Sequence, residues 1–211
     1  MSRGKFITLE GTEGAGKSTA RLFIMNYLEK AGITVVITRE PGGTDVAENI
    51  RQILLKRDEQ EIVLAETELL LMFAARAQHI RHRIEPTLAS GKWVLSDRYI
   101  DASYAYQHGG RGLPLNFINA LDMQIVGKLY PDLTLLLDLP AELGMTRAEH
   151  RGAGKDRIEQ EKMDFFKRVR DTYLERAKQD TKRIKVVDAS VSVPEVQQQI
   201  QRILDNFIAG C

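Results

Sequence analysis

Cysteine is almost missing from this 211-residue chain: its one copy, Cys211, is the last residue. A lone thiol forms no internal disulfide, so the fold must hold by packing, and a reducing compartment is expected. An excess of either charge is missing too. The 30 Lys and Arg are balanced by 29 Asp and Glu, for a formal net charge of +1. No global field recruits nucleic acid or an anionic membrane, and neither is expected as a partner. No stretch reaches the roughly 20 apolar residues of a membrane span. Met1–Glu10 lacks the apolar run of a signal peptide, so a cytoplasmic protein is expected. The histidines, His79, His82, His108 and His150, have no zinc-type spacing with cysteine or with one another.

Repeats, low-complexity tracts and Pro/Ser-rich linkers are also absent, which predicts a single domain over residues 1–211. Apolar residues make up 43% of the chain and charged residues 28%, the balance of an ordinary globular core and surface. Short apolar runs alternate with longer helical patterns. Strands are predicted at Lys5–Glu10, Ile33–Thr38, Trp93–Ser96, Leu133–Leu137 and Ile184–Val187. Helices are predicted at Lys17–Ala31, Thr44–Leu55, Thr67–Ala89, Asn116–Leu129, Ala141–Ala148, Glu159–Lys178 and Pro194–Ile208. Strands separated by helices imply an α/β fold, a three-layer arrangement with a five-stranded parallel sheet between helices. Three strands run into an aspartate, at Asp97, Asp138 and Asp188. Ligands of such sheets bind beyond the carboxyl ends of the strands.

The first strand ends in Gly11–Ser18, G-T-E-G-A-G-K-S, which then opens a helix. This is the G-x-x-x-x-G-K-[ST] phosphate loop in the context it requires. A triphosphate concentrates negative charge. Gly11, Gly14 and Gly16, with Thr12, Glu13 and Ala15 between them, let backbone N–H groups turn toward its oxygens. The helix presents its positive end. Lys17 supplies a point charge, Ser18 a hydroxyl for Mg²⁺, and Thr19 continues the ATP-binding run. The N-K-x-D and D-x-x-G strings of switch GTPases do not occur. A small-molecule kinase of the nucleotide type is left. Such an enzyme must bring two anions together, so it needs cations for the acceptor as well as the donor. R-E-P-G-G at Arg39–Gly43 and S-D-R-Y at Ser96–Tyr99 put an arginine at each of two further strand ends.

These segments, with LEGTEGAGKST, FAARAQH, SDRYIDASYAYQ, GGRG, YPDLTLLLDLP and RGAGKDRIEQE, resemble the bacterial thymidylate kinase family over essentially the whole chain. The resemblance implies a P-loop NTPase fold with a short lid, conversion of dTMP and ATP to dTDP and ADP with Mg²⁺, and a homodimer. It implies that Arg98 holds the transferred or acceptor phosphate and that Asp97 lies near Mg²⁺. It implies that Glu13 meets the acceptor sugar 3′-hydroxyl, that Ser103 and Gln107 read the thymine edge, and that Arg76 bonds a base carbonyl. Phe73 is the candidate ring stacked on thymine, with Met72 at the position where relatives often carry the aromatic. Arg51 is a further acceptor-side cation beside Arg39, and Tyr104 is a candidate for crowding the sugar 2′ position.

Residues 147–158 contain two glycines, Gly152 and Gly154, flanked by arginines, the composition of a hinged basic lid. The phosphate loop itself has no arginine. The resemblance is therefore to the subclass whose catalytic arginine comes from the lid, with Arg151 the first candidate, Arg157 the second, and Arg147 near the adenine or phosphates. Against this reading stand a kinase for another nucleotide or deoxynucleoside acceptor and a non-kinase nucleotide switch.

Overall fold

The computed structural model describes residues 3–56, 61–149 and 156–210. Strands β1 (Phe6–Glu10), β2 (Val35–Arg39), β3 (Trp93–Asp97), β4 (Leu133–Asp138) and β5 (Ile184–Asp188) form one sheet in the order β2-β3-β1-β4-β5. Every pairing in it is parallel. β1 is buried along its whole length, as expected for a central strand covered on both faces. Its side chains still alternate. Ile7 and Leu9 join Leu95, Leu135 and Leu137 on one face, against Ile24 and Leu28 of helix α1 (Lys17–Lys30) and Ile200 and Leu204 of helix α9 (Val193–Ala209). Phe6 and Val94 face the other layer, with Leu69 and Phe73 of helix α3 (Ala65–His79) and Ile118 of helix α6 (Leu115–Ile125). Leu136 packs there too, against Phe165, Phe166 and Val169 of helix α8 (Met163–Gln179). The remaining helices are α2 (Asp45–Leu55), α4 (Glu85–Ala89), α5 (Ile100–Ser103) and α7 (Ala141–Glu149).

Three departures from the sequence expectation bear on the site. The helix predicted at Thr67–Ala89 is interrupted at Ile80–Ile84 by a π-helical turn before α4 begins. Pro86 is the physical cause: it has no N–H for the helical ladder, and its ring crowds the carbonyl of His82 four residues back. Residues 100–110, which the apolar periodicity left unassigned, are also helical, with α5 running into a π turn at Tyr104–Gly110. That turn packs on α8 and carries Tyr106 and Gln107 to the carboxyl edge of the sheet. The helix expected from Glu159 starts at Met163 instead. The Asp156 carboxylate accepts from the N–H of Ile158 and Glu159, both at 2.9 Å, and holds that segment in a turn.

Candidate active site

A cavity of 470 Å³ opens at the carboxyl ends of β1, β2 and β3. Its size suits a nucleotide-scale ligand. One wall is the phosphate loop, from Glu13 through Thr19. Gly16 caps α1 in the left-handed region (φ 83) without any side-chain cap, so the first N–H groups of α1 remain open to an anion. Gly11 and Thr12, at the start of the loop, do not line the cavity; their carbonyls accept from the Lys17 ammonium at 3.0 and 2.9 Å. Burial and the nearby Arg98 lower the Lys17 pKa, partly offset by Glu13, Asp97 and Glu10. The loop is pressed against α7: a Cβ on Gly14 would stand 1.9 Å from the Gly144 carbonyl oxygen, and one on Gly144 would stand 2.5 Å from that of Glu13. Only glycine on both sides permits this approach.

Arg98 stands at the centre. Among the described residues it is the non-glycine with positive φ, at 70°, a left-handed conformation that costs an L-residue about 1–2 kcal/mol. The surrounding hydrogen bonds enforce it. Arg98 N–H donates to the Leu9 carbonyl at 2.9 Å, Ser96 Oγ donates to the Arg98 carbonyl at 2.8 Å, and Tyr99 N–H donates to Glu10 at 2.8 Å. The guanidinium thereby reaches over the loop. It donates to Glu13 Oε1 at 2.5 Å and lies 4.6 Å from the Tyr106 ring, whose hydroxyl donates to the same oxygen at 3.0 Å. Burial opposes ionisation of Glu13, but Arg98, Lys17 and the Tyr106 hydroxyl outweigh it and bring its pKa down to about 2. Glu13 is thus a fixed anion inside a phosphate cradle.

The opposite end is built from ion pairs. Arg76 is 2% exposed; its Nε donates to Glu40 at 2.8 Å, Nη1 to Ser103 Oγ at 2.9 Å and Nη2 to the Tyr99 carbonyl at 3.0 Å. Glu40 is held in turn by His79 Nδ1 at 2.9 Å, and His79 Nε2 meets Thr38 Oγ1 at 2.6 Å. Arg76, Ser103 and Gln107 line the cavity together with Arg39, Arg51 and Asp97. Arg51 donates to the Pro41 carbonyl at 3.1 Å, beside the cis peptide Glu40–Pro41, while Arg39 pairs with Glu48 at 2.9 Å. Arg147 also lines the cavity and donates to the carbonyls of Ala189 and Ser190 at 2.7 and 3.2 Å.

Three candidates sit elsewhere. Phe73 is packed in the core with Leu69 and Tyr99, its face covered by the Arg76 guanidinium at 4.7 Å; Met72 lines the cavity instead. Tyr104 is also a core residue, with its hydroxyl on Asp122 at 2.6 Å and Arg176 over its ring at 3.7 Å; Tyr106, two residues on, is the tyrosine at the cavity. Arg157 is drawn away from the cavity by the buried Glu68 at 2.5 Å and the Leu54 carbonyl at 2.9 Å. Arg151 and residues 150–155 of the expected lid lie outside the described residues. Sequence reasoning missed Glu10, Glu40, Glu68, Tyr106 and Arg111. Glu10 and Tyr106 fall inside quoted motifs, but Glu68 carries no local signal.

The sheet order, the loop and the facing arginines define a P-loop phosphotransferase built for two phosphorylated ligands. The family profile described as Thymidylate kinase matches residues 9–200. The chain is 56% identical over 204 residues to a thymidylate kinase of Ruthia magnifica, covering 97% of this chain and 98% of that protein. It is 50% identical over 206 residues to one of Alcanivorax borkumensis, covering 98% of each. A crystal structure of thymidylate kinase from Ehrlichia chaffeensis superimposes with a TM-score of 0.78 at 31% identity, covering 96% of this chain and 99% of that one. The chain belongs to the thymidylate kinase family.

Proposed function

We propose that this chain transfers the γ-phosphoryl group of ATP to dTMP, giving dTDP and ADP, with the donor in the phosphate loop and the acceptor between Arg98 and Arg76. The observation that carries the reading is one cavity whose one wall is a phosphate loop and whose other wall holds arginines fixed by carboxylates, Arg76 by Glu40 and Arg98 by Glu13. In this reading Lys17 leaves the loop carbonyls for the outer phosphates of ATP. The N–H groups of the loop and of the first turn of α1 receive the remaining oxygens. Arg98 exchanges Glu13 for the acceptor phosphate, with Arg39 and Arg51 at its flank. Glu13, released and still ionised, accepts from the sugar 3′-hydroxyl. Arg76 donates to a base carbonyl, Gln107 meets the base N3–H, and Met72 covers the base face. Positioning and charge stabilisation suffice for phosphoryl transfer, so no side-chain nucleophile is required.

Ser18 and Asp97 would hold Mg²⁺, which when bound neutralises charge across the β- and γ-phosphates. The residues fit that ion. Among the described residues the Asp97 carboxylate lines the cavity without a hydrogen-bond or ion-pair partner, and no group of three or more His, Cys, Asp or Glu could make an all-protein cage. Mg²⁺ typically keeps waters and substrate oxygens and takes one or two protein ligands. Residues 147–158 are read as the lid of one domain spanning the chain, with Arg151 supplying charge to the transferring group.

A homodimer is part of the proposal. Val46 and Ile53 of α2, Leu70 of α3 and Met123 of α6 are exposed apolar side chains on helices that pack side by side. A cytoplasmic location is proposed with it, since ATP and dTMP are soluble metabolites; no helix among the described residues is long and apolar enough to cross a membrane. The deciding experiment is ADP release with an acceptor panel of dTMP, dUMP, dCMP and no acceptor. The fastest release is expected with dTMP. Equal release without acceptor would leave a nucleotide hydrolase or switch in its place.

A further inference from the structure

Beside the base end of the cavity lies a second buried carboxylate, Glu68 of α3, 1% exposed. Its Oε1 accepts from Gln107 Nε2 at 2.8 Å, and its Oε2 from Arg111 Nη2 at 3.1 Å and Arg157 Nη2 at 2.5 Å. Burial works against the charged form, but Arg111, Gln107 and Arg157 together keep the carboxyl below its ordinary range. An ionised carboxylate can only accept hydrogen bonds. The Gln107 amide must therefore turn its NH₂ toward Glu68. A glutamine amide in neutral surroundings could present either end; this one is left with its oxygen for the cavity that it lines.

The consequence is a fixed pattern at the base wall. Gln107 offers an acceptor. Arg76 offers a donor: its Nη1 and Nη2 each make one hydrogen bond to protein, which leaves each one further N–H. A thymine or uracil edge carries the complement, an N3–H donor next to a carbonyl acceptor. Cytosine reverses both, with an N3 acceptor beside an amino donor. We propose that Glu68 is a positioning residue for acceptor choice: by engaging the amide nitrogen of Gln107, it turns the amide oxygen to the base and selects imide pyrimidines over aminopyrimidines. This rests on reading the cavity as the dTMP pocket.

The test compares kcat/KM for dTMP and for dCMP in the wild type, E68Q and E68D. Glutamine at this position can donate as well as accept, so the Gln107 amide is released. Any disturbance of Arg111 or Arg157 slows both acceptors alike and cancels in the ratio. In E68Q the dTMP:dCMP ratio should fall about tenfold, the scale of one buried hydrogen-bond mismatch. E68D keeps an acceptor-only anion and should retain most of the wild-type ratio. An unchanged ratio in active E68Q overturns the proposal. A wild type that does not prefer dTMP to dCMP overturns the reading of the pocket, and this proposal with it. Should E68Q fail to fold, NMR of the wild type decides. One Nε2 proton of Gln107, identified by its loss in Q107A, should be protected from exchange and stay so when dTMP binds. If both protons exchange freely with dTMP bound, the amide is not held by Glu68 and the proposal fails.

Discussion

The two ends of the cavity grip phosphate and base by different means. The donor end is made of backbone: eight consecutive residues, Gly11–Ser18, with open N–H groups and one lysine. The base end is made of side chains brought together from distant parts of the chain. Glu40 and Arg76 are 36 residues apart, and Glu68 and Gln107 are 39 apart. A backbone cradle needs glycines and a helix start, and changing its lysine should alter catalysis while sparing the fold. A buried ion network has no such separation between function and stability, because each charge is desolvated and depends on its partner.

The sharpest way to break that contrast is Arg76→Ala. It strands Glu40 beside His79 in a buried site and opens space under Phe73 and Tyr99. Removing one partner of a buried pair costs about 3–5 kcal/mol, so the urea midpoint should fall steeply together with dTMP binding. A stable Arg76→Ala protein that merely bound dTMP more weakly would mean that the network is functional without being structural. Lys17→Ala comes next. Loss of one preorganised charge on the transferring group is expected to lower kcat by about 10²–10³, while thermal unfolding stays close to wild type, because the hydrogen bonds of Lys17 among the described residues go to two loop carbonyls. A large drop in melting temperature would erase the distinction between the ends.

The same contrast explains what could be read in advance. The phosphate loop, the parallel sheet and the strand-end arginines were legible because each depends on residues adjacent in sequence or on a short apolar run. Met72 against Phe73 could not be decided from periodicity, since both fall on the apolar side of α3 and the outcome rests on which one the Arg76 guanidinium covers. Tyr104 and Tyr106 pose the same problem inside a π turn, where the usual helical spacing does not hold. Glu68 was invisible: a glutamate in an amphipathic helix reads as a solvated residue until Arg111 and Arg157 are seen to converge on it.

A smaller effect sharpens the picture at the donor end. Gly144→Ala keeps ordinary helical backbone in α7 but places a methyl group 2.5 Å from the Glu13 carbonyl oxygen. The loop or the helix must shift. Overpacking of this kind costs about 1–3 kcal/mol, and ADP affinity should weaken because the loop amides lose their alignment. Calorimetric titration with ADP in magnesium buffer checks this. Unaltered ADP binding would show that the cradle tolerates displacement and is less rigid than its contacts imply.

A last effect concerns two glutamates, one just before the loop and one inside it, that are displaced in opposite directions. Glu13 titrates at about 2 against an ordinary 4.5. Its contribution to stability is present above pH 4.5 and is lost as pH falls through its folded value. Glu10 accepts from Tyr99 N–H at 2.8 Å and from the Tyr173 hydroxyl at 2.7 Å. Burial, then Asp101, push it up to about 8, against the pull of Tyr173 and Arg98. Between 4.5 and 8 the folded protein therefore retains a proton that the unfolded chain has released. Stability from Glu10 is full below 4.5 and declines as pH rises through its folded value, with a slope of about 1 kcal/mol per pH unit. Glu10→Gln cannot titrate. It should flatten that decline while leaving the acid limb, which belongs to Glu13, in place. Urea unfolding of both proteins across this range reads the difference directly. Parallel profiles would mean that Glu10 is ionised in the native state, so that the Arg98–Tyr99 turn is fastened by a charge and not by a neutral carboxyl.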